Sequence, residues 1–125
     1  MAARILVVDD NPANLDLFLY LLRAFGYEAS GARDGIEGWE AARAGSYDLV
    51  LCDILMPGID GYELARRLAT LPTKPRIVAV TALAMRGDRD RLLAAGFDDY
   101  LSKPIEPSQF KQRVEANLGK HPDRR

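Results

Sequence analysis

Cysteine and histidine are nearly absent, with one of each, Cys52 and His121, in 125 residues. A lone thiol excludes an internal disulfide and the stapled secreted scaffolds that depend on one, so a reducing, cytoplasmic setting is expected. Cys52 closes the apolar run Leu49-Val50-Leu51-Cys52, where its expected role is that of a small buried hydrophobe, not a reactive thiol. His121 lies in the final few residues and is not placed to serve a catalytic triad.

A surplus of either charge is also missing. Seventeen basic and eighteen acidic side chains leave a formal net charge of -1. That balance excludes the clustered basic excess on which non-specific nucleic-acid or anionic-membrane binding depends. Long hydrophobic runs are absent as well. Met1-Ala2-Ala3-Arg4 precedes an apolar run of only four residues, Ile5 to Val8, too short for a signal-peptide core or a membrane span. No internal repeat, linker or low-complexity tract interrupts the chain.

What is there is the composition of an ordinary globular protein, 48% apolar and 28% charged. The length suits a single domain with a real core, read here as residues 1–119 with a C-terminal tail at 120–125. Three fully apolar runs, Ile5 to Val8, Leu49 to Cys52 and Ile77 to Val80, have the make-up of strands buried on both faces of a parallel sheet. Tyr27 to Gly31 and Asp99 to Ser102 are more polar and suit its edges.

Helical patterns fill the intervals. Leu15, Phe18, Leu19 and Leu22 form an apolar stripe behind an Asn11-Pro12 start, with Gly26 as the stop. Asp34 with Glu37, and Asp60 with Glu63, have capping-box spacing and open helices expected to reach about Ala44 and Leu71. A fourth helix is predicted over Ala84 to Ala95, ending at Gly96, and a fifth from Glu106-Pro107 to near Gly119. Regular βα alternation predicts an α/β fold: a doubly wound, five-stranded parallel sheet of order 2-1-3-4-5 in a (βα)5 three-layer sandwich.

In such sheets ligands bind beyond the C-terminal strand ends, at the switch point between strands 1 and 3. Asp9 and Asp10 follow strand 1, Asp53 follows the apolar residues of strand 3, Thr81 ends strand 4 and Lys103 follows strand 5. Three carboxylates in one place repel each other, and a hard divalent cation such as Mg²⁺ relieves the repulsion. Lys103 adds a point charge and Thr81 a hydroxyl donor, a set suited to phosphoryl transfer with Asp53 as nucleophile.

At these residues the chain resembles the receiver domains of two-component response regulators, over essentially its full length. The similar segments are Ile5-Leu6-Val7-Val8-Asp9-Asp10-Asn11, Asp53-Ile54-Leu55-Met56-Pro57-Gly58-Ile59-Asp60-Gly61, Val80-Thr81-Ala82 and Tyr100-Leu101-Ser102-Lys103-Pro104. Thr81 through Asp88 is similar to stand-alone receivers and to receivers of hybrid histidine kinases. The resemblance implies a flavodoxin-like fold and a phospho-accepting switch in place of a turnover enzyme. On it, Asp53 takes phosphate from a phosphohistidine on a sensor histidine kinase or histidine phosphotransfer protein, and the domain assists its own phosphorylation and dephosphorylation. Mg²⁺ is implied at Asp10, Asp53 and the Leu55 backbone carbonyl, with Asp9 acting through water. Thr81 and Tyr100 are implied as the switch, and Lys103-Pro104 as a cis peptide.

Further expectations rest on the same likeness. The donor docks on the first helix and the loops around Asp53, and a downstream protein reads strand 5 with the fourth and fifth helices. The domain acts as a monomer or weak dimer, without direct contact to nucleic acid or membrane. Leu55 and Leu83, two residues beyond Asp53 and Thr81, are apolar and cannot orient a water, so a slowly hydrolysed aspartyl phosphate is expected. Other functions fit less well. Asp9-Asp10-Asn11 lacks the Asp-x-Asp pattern of Asp-nucleophile phosphohydrolases, and an acidic loop after strand 1 repels a flavin phosphate. Trp39 suits packing, and the alternating signs of Arg86, Asp88, Arg89, Asp90 and Arg91 suit a solvated helix face.

Overall fold

The computed structural model describes residues 2–82 and 88–119. Five strands alternate with five helices: β1 Arg4–Val8, α1 Pro12–Ala24, β2 Glu28–Ala32, α2 Gly35–Ala44, β3 Leu49–Asp53, α3 Gly61–Leu68, β4 Arg76–Thr81, α4 Asp88–Ala94, β5 Asp99–Ser102 and α5 Pro107–Gly119. All pairings are parallel and the strand order is β2-β1-β3-β4-β5, as the alternation predicts.

The period-two geometry of the strands divides the core into two layers. Ile5, Val7, Leu49, Leu51, Val78, Val80 and Leu101 pack on one side against Leu15, Phe18 and Leu22 of α1 and Phe110, Val114 and Leu118 of α5. Phe18 and Phe110 join these helices with ring centroids 5.5 Å apart. Leu6, Val8, Val50, Cys52, Ile77 and Ala79 face the other way, onto Ala42, Leu64, Leu68 and Leu92 of α2, α3 and α4. Successive apolar residues of β1, β3 and β4 therefore alternate between two cores, which is why those runs are apolar without interruption.

Local chemistry sets the element ends. The Asn11 side chain accepts from the Asn14 N–H, and Pro12 takes the first helical position of α1. That helix stops in a Schellman turn: Gly26 N–H bonds Arg23 O and Tyr27 N–H bonds Leu22 O, with Gly26 at φ 97°. Gly96, at φ 108°, ends α4 with the same pair of bonds, to Leu93 and Leu92. The two predicted capping boxes are half formed. Asp34 and Asp60 accept from the N–H groups of Glu37 and Glu63. The Glu37 carboxylate then reaches the Arg33 N–H, and that of Glu63 pairs with Arg66 and Arg67.

Two elements, β2 and α3, end away from expectation by one residue or more. β2 runs one residue later than predicted, at Glu28–Ala32. α3 ends at Leu68 instead of Leu71, because Thr70 turns back on Arg67 O through both its N–H and its hydroxyl. Part of the predicted fourth helix, Ala84 to Gly87, lies outside the described residues, as do Leu83 and the 120–125 tail with His121.

Candidate functional site: an acid cluster beside one lysine

Four strand ends build the site. β1 terminates at Val8, and the ladder is prolonged by one bond, from the Asp9 N–H to Ala32 O at 3.1 Å. The chain then turns into α1, and the Asn11 N–H closes onto Asp9 Oδ1 at 2.9 Å. This turn buries the Asp9 carboxylate, which is 1% exposed, while Asp10 remains at the surface. Asp53 is the last residue of β3, in register with Val80. Thr81 is buried at the end of β4, and its carbonyl accepts the Lys103 N–H at 3.0 Å.

Close approach of α3 to this edge requires Gly61. Its N–H bonds Ile54 O at 2.9 Å, and a Cβ there would lie 2.5 Å from Asp53 O and 2.8 Å from Ile54 Cα. Both obstacles are backbone, so no side-chain rotation could relieve the clash. The loop between them carries Leu55, whose side chain is 64% exposed, and Gly58 at φ 78°.

The charges are unbalanced. One carboxylate oxygen from each of Asp9, Asp10 and Asp53 lies within 4.8 Å of the other two. The Lys103 ammonium approaches Asp9 Oδ2 at 3.3 Å and Asp53 Oδ2 at 3.5 Å. Burial raises the Asp53 carboxyl above its ordinary range; Lys103 pulls it back, the Asp9 charge pushes it further up, and the net direction is upward. Burial likewise pushes the Cys52 thiol well up, with the Asp53, Asp9 and Asp60 charges adding to the effect. Cys52 is thus a protonated, unreactive thiol.

Three anionic groups beside one ammonium leave an excess of two negative charges, which suits a divalent cation. The donor set, all oxygen, fits such an ion.

Around the cluster, the Lys103–Pro104 peptide is cis. Tyr100 is half-buried and packs against the core on the α2–α4 side. A cavity of about 390 Å³ runs from Lys103, Pro104 and Ile105 to Asn14, Leu17 and Phe18 of α1. A second, of about 460 Å³, is lined by Tyr100 and Ser102 of β5, the loop at Pro104 to Glu106, and Gln109 and Arg113 of α5. Asp9, Asp10, Asp53, Thr81 and Lys103, spread over the chain, meet at one edge; Leu55 lies in the loop after Asp53, and Tyr100 on β5 pairs with Ala79 of β4.

A doubly wound sheet with an acid cluster and a lysine at its switch point is the architecture of phosphorylation-based signalling domains. The chain belongs to the response regulator receiver domain family, whose sequence profile matches residues 5–115. It is a module of two-component signalling and not a classic enzyme. It is similar to the polar-differentiation response regulator DivK of Brucella ovis, with 36% identity in an alignment that covers 95% of this chain and 98% of that protein. A CheY-like receiver domain protein from Methanospirillum hungatei JF-1 has the same fold, with a TM-score of 0.90, 30% identity and 97% of each chain covered. The receiver domain of a sensor histidine kinase from Pseudomonas aeruginosa PAO1, solved with a magnesium ion coordinated in its active-site cleft, gives a TM-score of 0.88 at 34% identity, covering 96% of this chain and 100% of that one. Among the described residues, no helix is long and apolar enough to cross a membrane.

Sequence reasoning missed two contributors. The Asn11 backbone N–H holds Asp9 in place, and Gly61 lets α3 approach the Asp53 carbonyl. Gly61 carried a signal, as the residue after an Asp cap. The Asn11 contact carried none, because any residue but proline supplies an N–H.

Proposed function

We propose that Asp53 is the phospho-acceptor of a two-component phosphorelay, charged by a phosphohistidine on a sensor histidine kinase or histidine phosphotransfer protein. The observation that carries this reading is the Lys103 ammonium standing 3.5 Å from Asp53 Oδ2 within the acid cluster. An Asp53 carboxylate oxygen attacks phosphorus; the P–N bond breaks, and its electron pair stays with the imidazole that departs. Lys103 holds the charge accumulating on the phosphoryl oxygens, and the Thr81 hydroxyl donates to one of them. Asp10 and Asp53, with the Leu55 carbonyl, would hold Mg²⁺, and Asp9 would act through water. When bound, the ion supplies positive charge that offsets repulsion between the cluster and the incoming phosphoryl group.

The same reading assigns the output. A phosphoryl group adds about -1.5 to -2 charge and strong acceptor oxygens. Thr81 moves toward it and Tyr100 turns inward into the space vacated, which changes the affinity of the β5, α4 and α5 face for a downstream protein. Donor docking on α1 is supported by two large exposed side chains of that helix, Leu17, which lines the 390 Å³ cavity, and Tyr20. The domain assists its own phosphorylation and dephosphorylation, works in the cytoplasm and is a monomer or weak dimer.

Borohydride reduction tests the assignment, since it converts an aspartyl phosphate to homoserine. After incubation with a small phosphodonor and Mg²⁺, peptide mapping is expected to find homoserine at position 53. Homoserine at another aspartate would overturn the assignment.

A further inference from the structure

Away from the acid cluster, a second polar group is buried at the opposite ends of β4 and β5. Asn117 of α5 is 3% exposed although it sits among the apolar positions Phe110, Val114 and Leu118 of that helix. Its Oδ1 accepts from Arg76 Nε at 2.9 Å, and its Nδ2 donates to Asp99 Oδ2 at 2.9 Å and Arg113 O at 2.8 Å. Arg113 pairs with Asp99 and donates to Tyr100 O at 2.8 Å. Arg76 lies 3.8 Å from Asp98, whose carboxylate accepts the Ile77 N–H at 2.8 Å. Two arginines, two aspartates and one amide thus form a neutral network that ties α5 to the first residues of β4 and β5.

The placement relative to Tyr100 matters. β5 has only four residues, and its far end is fastened as well, by the Lys103 N–H on Thr81 O and by the Lys103 ammonium on Asp9 and Asp53. Tyr100 lies between the two fastenings with its own carbonyl held by Arg113. We propose that the Asn117 network is a clamp that makes β5 and α5 one rigid body, so that the signal leaves the site through the Tyr100 side chain and not through movement of α5. Asn117 is a positioning residue in this account. Buried polar groups are suited to such a role, because a shifted helix would leave several charged and polar partners unsatisfied at once.

This rests on the phospho-acceptor reading for its signalling half only. Amide hydrogen exchange on the full chain tests it, in the unmodified state and after treatment with a small phosphodonor and Mg²⁺, with intact mass reporting the adduct. In unmodified Asn117→Leu, protection across α5 is expected to fall about tenfold or more while that of α1 stays within about twofold. Phosphorylation is expected to leave α5 protection in the wild type within about twofold, yet to change it severalfold in Asn117→Leu. A purely structural asparagine would lower protection equally in both states. Arg76→Met, which removes the bond to Asn117 and the ion pair with Asp98 but keeps Asn117 and its bonds to Asp99 and Arg113, is expected to give a smaller loss and serves if Asn117→Leu does not fold. Unchanged α5 protection in the folded variants, or an α5 that loosens in phosphorylated wild type, overturns the clamp. Failure to form any adduct counts against Asp53 as acceptor, and unchanged α5 protection in the unmodified variants still overturns the clamp.

Discussion

Asp53 is held in a conflict that the fold itself does not resolve. Its carboxyl is raised by burial and by the Asp9 charge more than Lys103 lowers it. A carboxyl whose folded pKa lies above its unfolded value costs stability as it ionises. Asp53 is therefore expected to contribute a loss of stability in chelator as pH rises upward from the ordinary value of 3.8, because the unfolded chain releases that proton more readily. Asp53→Asn is expected to melt above wild type in chelator and to lose that component of the pH slope. Mg²⁺ reverses the comparison. At about a hundred times its dissociation constant it should stabilise the wild type by about 2.7 kcal/mol and Asp10→Asn by much less, read as a shift in melting temperature. Equal shifts in both proteins would remove Asp10 from the cation site.

Elements bring those residues together through backbone contacts that tolerate little. Gly61 starts α3 against the Asp53 carbonyl with 2.5 Å available to a Cβ. Gly61→Ala is expected to cost about 1–3 kcal/mol in chemical denaturation, the usual range for overpacking, and to slow phosphorylation by displacing the end of β3. Much of this level was legible in the sequence. The uninterrupted apolar runs of β1, β3 and β4 announced a sheet covered on both faces, and Asn11-Pro12 and Gly26 marked the ends of α1 where they are found. The end of α3 was not legible, because it depends on Thr70 folding back on Arg67, a choice that propensity does not encode. The role of Asn117 was not legible, because its partners Arg76 and Asp99 come from strands distant in sequence.

At the scale of the whole molecule, the strand order puts the C-terminal ends of β1, β3, β4 and β5 along one edge, and chemistry gathers there. Asp9, Asp10, Asp53, Thr81 and Lys103 could be read as a group from the sequence because the fold class dictates which ends converge. The burial of Asp9 against the exposure of Asp10, and the exposure of Leu55, come only from the packed structure. Two polar centres result, an acid cluster with excess negative charge at one edge and the neutral Asn117 network at the other, joined by β5. The central claim concerns the first of these. Wild type and Asp53→Asn, each incubated with a small phosphodonor in Mg²⁺, are compared by intact mass. The account predicts one added phosphoryl group on the wild type and none on Asp53→Asn. An adduct on both, or on neither, would contradict it.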